Sequence, residues 1–371
     1  MAGDSPALDL FLELAAIPSP PGEERAVADA VVRYLRDLGL DPHEDDAGPR
    51  IDSTMGNVYA RLEPTAEGTP LFFCAHLDTV PPSGPMQPVV EDGVVRNAGG
   101  TILGADNKAA AVQMLEGVRR VLAENRPHAG IELVFTPKEE VGLIGAYAFD
   151  HDRLHAEIGY VYDEAAPPGK IILGAPWSES MEVRFHGRAA HSGMFPEEGR
   201  SAVQAAAKAI ADLRLGRVDE ETTANVGVIN GGTAGNIVPE WCTFLAEARS
   251  QSEAKLADLV QEMVDAFSFA ATATDCEVET QVRKSYRGYR FKRDDDVVRL
   301  AETALARCGY EVGYALSGGG ADANVFNERG RRCVNLANGM TEIHTPDEHI
   351  TVADLDGMVE VTLALVDAAL A

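Results

Sequence analysis

Three apolar runs in the first half of the chain each end beside a side chain that can hold a proton or a metal ion. The runs are residues 70–75 (PLFFCA), 130–136 (GIELVFT) and 157–162 (EIGYVY); after them come His76, the pair Glu139 and Glu140, and Asp163. Short runs of this kind read as strands buried on both faces, as in a parallel sheet. A helical run over residues 109–123 separates the first two, and residues 170–173 (KIIL) form a further strand. Strands alternating with helices predict an α/β sheet domain, and open sheets of that class build their sites at the carboxyl ends of the strands.

The texture changes near residue 175. Strand 180–185, helix 201–214, strands 223–229 and 238–248, helix 253–272 and strand 277–284 follow in turn. That β-α-β-β-α-β order predicts a small ferredoxin-like α+β unit. The α/β alternation resumes after residue 294 and closes on a helix over residues 352–370. The expected organisation is a discontinuous α/β domain, residues 1–175 and 290–371, interrupted by a second domain over residues 176–289.

Charge and cysteine content narrow the function classes. The chain carries 59 acidic against 32 basic residues, a formal net charge of −27. Such a surface repels phosphates and anionic lipid, so neither nucleic acid nor membrane is an expected partner. The five cysteines are scattered with no C-x-x-C pair, which predicts free thiols in a reducing compartment, the cytoplasm. The opening segment MAGDSPALDLFLELAAIPSP lacks a positive n-region and reads as an amphipathic helix, not a signal peptide. No apolar run is long enough to predict a membrane span.

Taken singly, each candidate site residue has a plain structural reading. His76 could finish a strand and Asp78 open a turn. Yet residues two apart in an extended segment face the same way, and a ligating histidine needs a carboxylate to hold its tautomer, which Asp78 is placed to supply. Asp106, in TILGADNKAA, could be a helix N-cap, but the same junction is a rigid mount for a bridging carboxylate. Glu139 and Glu140 could be solvated, although adjacent carboxylates repel unless a cation neutralises them. Asp163, with Glu164 beside it, stands at another strand end, and His344 lies in a Pro-containing loop before the last helix. As a set these mixed nitrogen and oxygen donors suit zinc or manganese, with cobalt a substitute. They are numerous enough for two ions about 3.5–4 Å apart. A G-x-S-x-G elbow is absent. The run Gly318–Gly320 lacks dinucleotide-binding spacing and reads either as a flexible turn or as a cradle whose amides could hold a carboxylate.

The motifs AHLDTVPP, ILGADNKAA, TPKEEVGLIGA, YVYDEA, GRAAHSG, GGTAGNIVP, AEARS, SGGGADANVF and EIHTPDE, in that order, resemble the M20 family of metallopeptidases over nearly the whole chain. The shorter, peptidase T-like branch is the most similar. The resemblance implies a zinc-peptidase-like α/β catalytic domain with an inserted lid and dimerisation domain. It implies two divalent ions, zinc first and cobalt or manganese as alternatives. His76 and Asp163 would hold one ion, Glu140 and His344 the other, with Asp106 bridging through a non-proline cis peptide to Asn107. Asp78 would orient His76, and Glu139 would be general base and then general acid. In the lid, His191 would polarise the scissile carbonyl in a neighbouring subunit's site, and Asn236 and Arg249 would grip the substrate. Gly319 completes the expected substrate contacts. The implied activity is release of the N-terminal residue from tripeptides by a homodimer. A deacylase, dipeptidase or carboxypeptidase with the same metals is the alternative, and a non-catalytic binding protein on this fold the remote one. Aspartate at position 163 is similar to the aminopeptidase side of the family.

Overall fold

The computed structural model describes residues 5–370. The described residues up to Ala175, together with those from Tyr289 onward, form one compact unit, and Pro176–Gly288 form a second.

The first unit is built on a nine-stranded sheet. Its centre is four parallel strands in the spatial order Ile131–Thr136, Leu71–His76, Ile158–Glu164 and Arg332–Ala337. Every residue of Leu71–His76 and of Ile131–Thr136 is buried, as a strand covered by helices on both faces requires. Helices Ala105–Ala123 and Val352–Ala368 supply much of one apolar layer, with Val112, Leu115, Val361 and Leu365 inaccessible to solvent. Register then does the aligning. His76 pairs with Thr136, and Cys74 pairs with Val161, so Asp163 stands level with His76 on the next strand.

The helix expected from residue 109 begins earlier, at Ala105, but its first turn is irregular. Asp106 (φ −81°, ψ 102°) and Asn107 (φ −121°, ψ 27°) are not helical, and the bond between them is cis. The helical pattern in the sequence therefore marks only the regular part.

A separate three-stranded sheet, in the order His349–Thr351, Val94–Asn97, Pro88–Glu91, was not expected from the sequence. Its strands have three or four residues, too short for an alternating pattern to declare itself.

The second unit has an antiparallel sheet in the order Gly216–Asp219, Thr222–Gly231, Trp241–Ser250, Trp177–His186, Glu277–Tyr286. Helices Ala202–Ala211 and Glu253–Ala273 are N-capped by the hydroxyls of Ser201 and Ser252. They bury Ala205, Ala209, Met263 and Phe267 against Phe185 and Phe244. This is the ferredoxin-like arrangement with one extra edge strand. The strand expected from residue 238 starts at Trp241 instead, because Val238 is drawn into a bond with the carbonyl of Ala190.

Among the described residues no helix is long and apolar enough to cross a membrane, and all five cysteines are free thiols.

Candidate active site and metal centre

The carboxyl ends of the central strands and the loops beyond them converge on one carboxylate. Asp106 presents Oδ1 to Nε2 of His76 at 3.2 Å and Oδ2 to Nε2 of His344 at 3.1 Å. His344 Nε2 also lies 3.1 Å from Oε1 of Glu140, and His76 Nε2 lies 3.7 Å from Oδ1 of Asp163. Five residues from five separate segments thus share one cluster, with Asp106 between the two imidazoles. Donor atoms of His76, Asp106 and Glu140 fall within 4.8 Å of one another, a spacing one ion could span.

The supporting bonds explain how such charged groups are held. The sequence predicts that the Asp78 carboxylate orients His76, but His76 Nδ1 lies 2.9 Å from the main-chain oxygen of Asp78 and 3.5 Å from its carboxylate, so the closer partner is the peptide oxygen. The Asp78 carboxylate is spent elsewhere: Oδ1 accepts the amide of Glu139 (2.9 Å) and Oδ2 that of Glu140 (3.1 Å). Asp78 is wholly buried and ties the histidine strand to the glutamate loop. Lys138 and His344 both adopt left-handed backbone (φ 56° and 63°), a conformation that costs non-glycine residues energy and tends to survive where side-chain aim matters.

Two contributors gave no chemical signal in the sequence. Asn335, on the strand next to Asp163, accepts the Asp163 amide through Oδ1 (2.8 Å) and donates Nδ2 to its carbonyl (2.9 Å). Glu24, buried at the start of helix Arg25–Asp37, accepts the amides of Gly22 (2.6 Å) and Lys138 (3.2 Å) and the Ser53 hydroxyl (2.8 Å). Each reads in the sequence as an ordinary polar residue, because Asp163 for Asn335, and Ser53 and Lys138 for Glu24, are remote in the chain. Glu164 is hydrogen-bonded by the Ser317 side chain, and Asp163 is the carboxylate that reaches His76.

The electrostatics describe a site short of positive charge. Burial works against a charge on His76, but Asp106, Asp163 and Asp78 outweigh it and hold the imidazole well above its ordinary range. Hydrogen bonds that His344 donates to the carboxylates of Asp106 and Glu140 push it up to about 10. Burial and the neighbouring Asp106 push Asp163 up to about 7, and burial drives Glu139 well above the usual carboxylate range. Asp106 alone is pulled down: the two histidines overcome its burial. Cations bound here would offset the crowding of Asp106, Glu139, Glu140 and Asp163. Four carboxylates and two imidazoles, with no thiolate, fit divalent zinc, cobalt or manganese.

The remaining expected residues have local partners of their own. Gly319 is in the loop before helix Asp322–Glu328, its amide given to Ser317 Oγ at 3.2 Å. In the second unit, His191 is exposed, with Nδ1 accepting the amides of Gly193 and Met194 at 3.2 Å each. Asn236 is its neighbour, receiving the Ser192 amide at 3.1 Å. Arg249 is half-buried and pairs with Glu247 at 2.9 Å.

Comparison with known proteins shows the family. Residues 178–275 match the model of the peptidase dimerisation domain of M20 enzymes, and residues 57–190 that of peptidase family M28. The aminopeptidase PepT of Bacillus cereus is 37% identical, with a TM-score of 0.89 and 98% of both chains covered. A tripeptidase of Staphylococcus aureus is 35% identical, with a TM-score of 0.93 over 98% of both chains. The chain belongs to the M20 family of peptidases. The M28 match spans only part of the chain, whereas these two relatives span nearly all of it, dimerisation-domain segment included. The M20 chain is also 39% identical over 369 residues to the uncharacterised protein YqjE of Bacillus subtilis, covering all of both sequences. As a family member it is a peptidase of the peptidase T-like kind.

Proposed function

We propose that this M20 peptidase is a metal-dependent exopeptidase that releases the N-terminal residue of short peptides, tripeptides foremost. The observation that carries the reading is the Asp106 carboxylate held between His76 and His344, with the buried Glu139 anchored beside it by Asp78. Full-length similarity to a PepT aminopeptidase and a tripeptidase supports the substrate class.

In this reading His76, Asp163, Glu140, His344 and Asp106 would hold two divalent ions, the first two residues serving one ion, the next two the other, and Asp106 being shared. Zinc is the first candidate, with cobalt or manganese able to substitute. Ions bound there supply Lewis acidity and acidify water. Glu139 is free to move a proton because Asp78 fixes its main chain and leaves its carboxylate unbound to that clamp. It takes the proton of the attacking water as general base and returns it to the departing amine as general acid. Burial serves this role, since a carboxylate raised toward neutrality can both accept and give back a proton. Asp78 orients His76 through its peptide oxygen. His191, Asn236 and Arg249 have the substrate-side roles that the family resemblance implies, His191 stabilising the developing oxyanion and the other two binding the peptide, with Gly319 offering a further contact. A homodimer formed through the second unit, working in the cytoplasm, completes the proposal.

The test is metal-supplemented hydrolysis of one unblocked tripeptide beside its N-acetylated copy, with products identified by mass. Release of the N-terminal residue from the free peptide alone is the expected result. Cleavage of the acetylated copy, or loss of the C-terminal residue, would make the protein a deacylase or carboxypeptidase instead.

A further inference from the structure

We propose that Glu348 is a positioning residue that locks the loop carrying Asp106 to the loop carrying His344. Its side chain touches none of the reacting groups, but it is 1% exposed and its carboxylate meets three main-chain amides. Oε2 accepts from Leu103 (2.7 Å) and Gly104 (2.9 Å), and Oε1 accepts from Asp106 itself (2.9 Å). Three charge-assisted bonds converging on one buried carboxylate fix the approach to the non-helical turn at Asp106.

The other end of the clamp is equally defined. Glu348 immediately precedes strand His349–Thr351, whose register is set by Arg96, Val95 and Val94 of the neighbouring strand. His349 and Thr341 exchange main-chain bonds at 3.0 and 3.1 Å, closing the base of the loop that displays His344. On the far side of the Asp106 loop, Asn97 of the same small sheet donates Nδ2 to the carbonyl of Ile102 at 2.6 Å. The small sheet is thus a frame that grips the 98–106 segment through Asn97 and Glu348 and offers His344 from the same edge. Asp106 and His344 then cannot drift independently.

The inference rests on the metal-site reading above, but its test does not depend on which peptide is cleaved. Glu348→Gln replaces one acceptor oxygen with an amide that faces a backbone donor, while preserving volume. Titration of Mn2+ or Zn2+ into metal-free protein is expected to show affinity reduced ~10–100-fold in Glu348→Gln, as for other groups that orient ligands. Circular dichroism and the metal-free melting temperature should stay near wild type, and kcat should fall more than KM changes. Unaltered metal affinity in a folded variant overturns the proposal. Should the variant fail to fold, hydrogen exchange on metal-free wild type decides. Amides of residues 103, 104 and 106 protected to the level of strand 71–76 support the clamp, and free exchange overturns it. A wild type that cleaves no peptide would refute the functional reading while leaving both readouts to judge Glu348.

Discussion

His344 and Asp106 lie 3.1 Å apart although 238 positions separate them in the chain. One is at the tip of a loop closed by the small three-stranded sheet, the other in an irregular turn that opens a long helix. The contact joins late and early segments of the first unit at the point where positive charge is most needed.

Replacing Glu139 with glutamine should separate binding from chemistry. The Asp78 clamp acts on the main chain of Glu139 and survives the substitution. Metal content should remain while turnover falls by ~10²–10⁴-fold, the usual weight of a general acid–base group. Metal analysis and single-turnover kinetics on the variant check this, and substantial residual activity would remove Glu139 from the role.

Asn335→Ala should weaken both stability and the site. It leaves the amide and the carbonyl of Asp163 without their side-chain partner, at a cost of about 1–3 kcal/mol for a buried polar group. A lowered melting temperature together with weaker metal binding is expected. A loss of stability with unchanged metal affinity would show that Asn335 holds the strand but not the ligand.

The metal-free protein should lose stability as pH rises. Asp163 binds its proton more tightly folded than unfolded. Its contribution is complete below its ordinary value of 3.8 and is lost as pH climbs through about 7. His344 behaves alike, with stability complete below 6.5 and lost through about 10. Asp106 works in the opposite sense, losing its contribution as pH falls below the ordinary carboxylate range. Melting curves of chelator-treated protein should therefore decline from weakly acid toward alkaline pH. Added divalent metal should flatten the decline, because cations replace the protons. A metal-free profile that is flat or rises would contradict the charge balance described here.

Gly159→Ala tests the packing beneath the site. A Cβ there would lie 2.1 Å from Cζ of Phe72, whose ring is fully buried and sits 4.8 Å from that of Phe326. With little room to shift, overpacking should destabilise by about 1–3 kcal/mol. Thermal or urea unfolding measures it.

Much of this architecture is legible along the chain because it is local. LFFCA is apolar at every position and IELVF at every position but Glu132, a density that fits a strand covered on both faces. Side chains just past such runs emerge at one edge by parallel register, so His76, Glu139, Glu140 and Asp163 point to a site before any tertiary contact is known. His344 and Asp106 were reached through family motifs, since an isolated histidine in a loop and an aspartate at a helix start carry little signal alone. Glu348 lay inside the motif EIHTPDE with no sign of its role, because its partners are backbone amides some 240 residues away.

The sequence by itself determined most of the longer elements, the break between two α/β segments and an inserted α+β segment, and which side chains of the cluster are acidic or imidazole. Those follow from side-chain polarity and period, which are properties of neighbours in the chain. Only the tertiary structure decided that Asp106 faces two imidazoles, that the Asp78 carboxylate serves the glutamate loop while its peptide oxygen serves His76, and that Asn335, Glu24 and Glu348 hold the ligand-bearing backbone. Hydrogen bonds of that kind depend on distance and direction to within a few tenths of an ångström, and such distances are set by how remote segments pack.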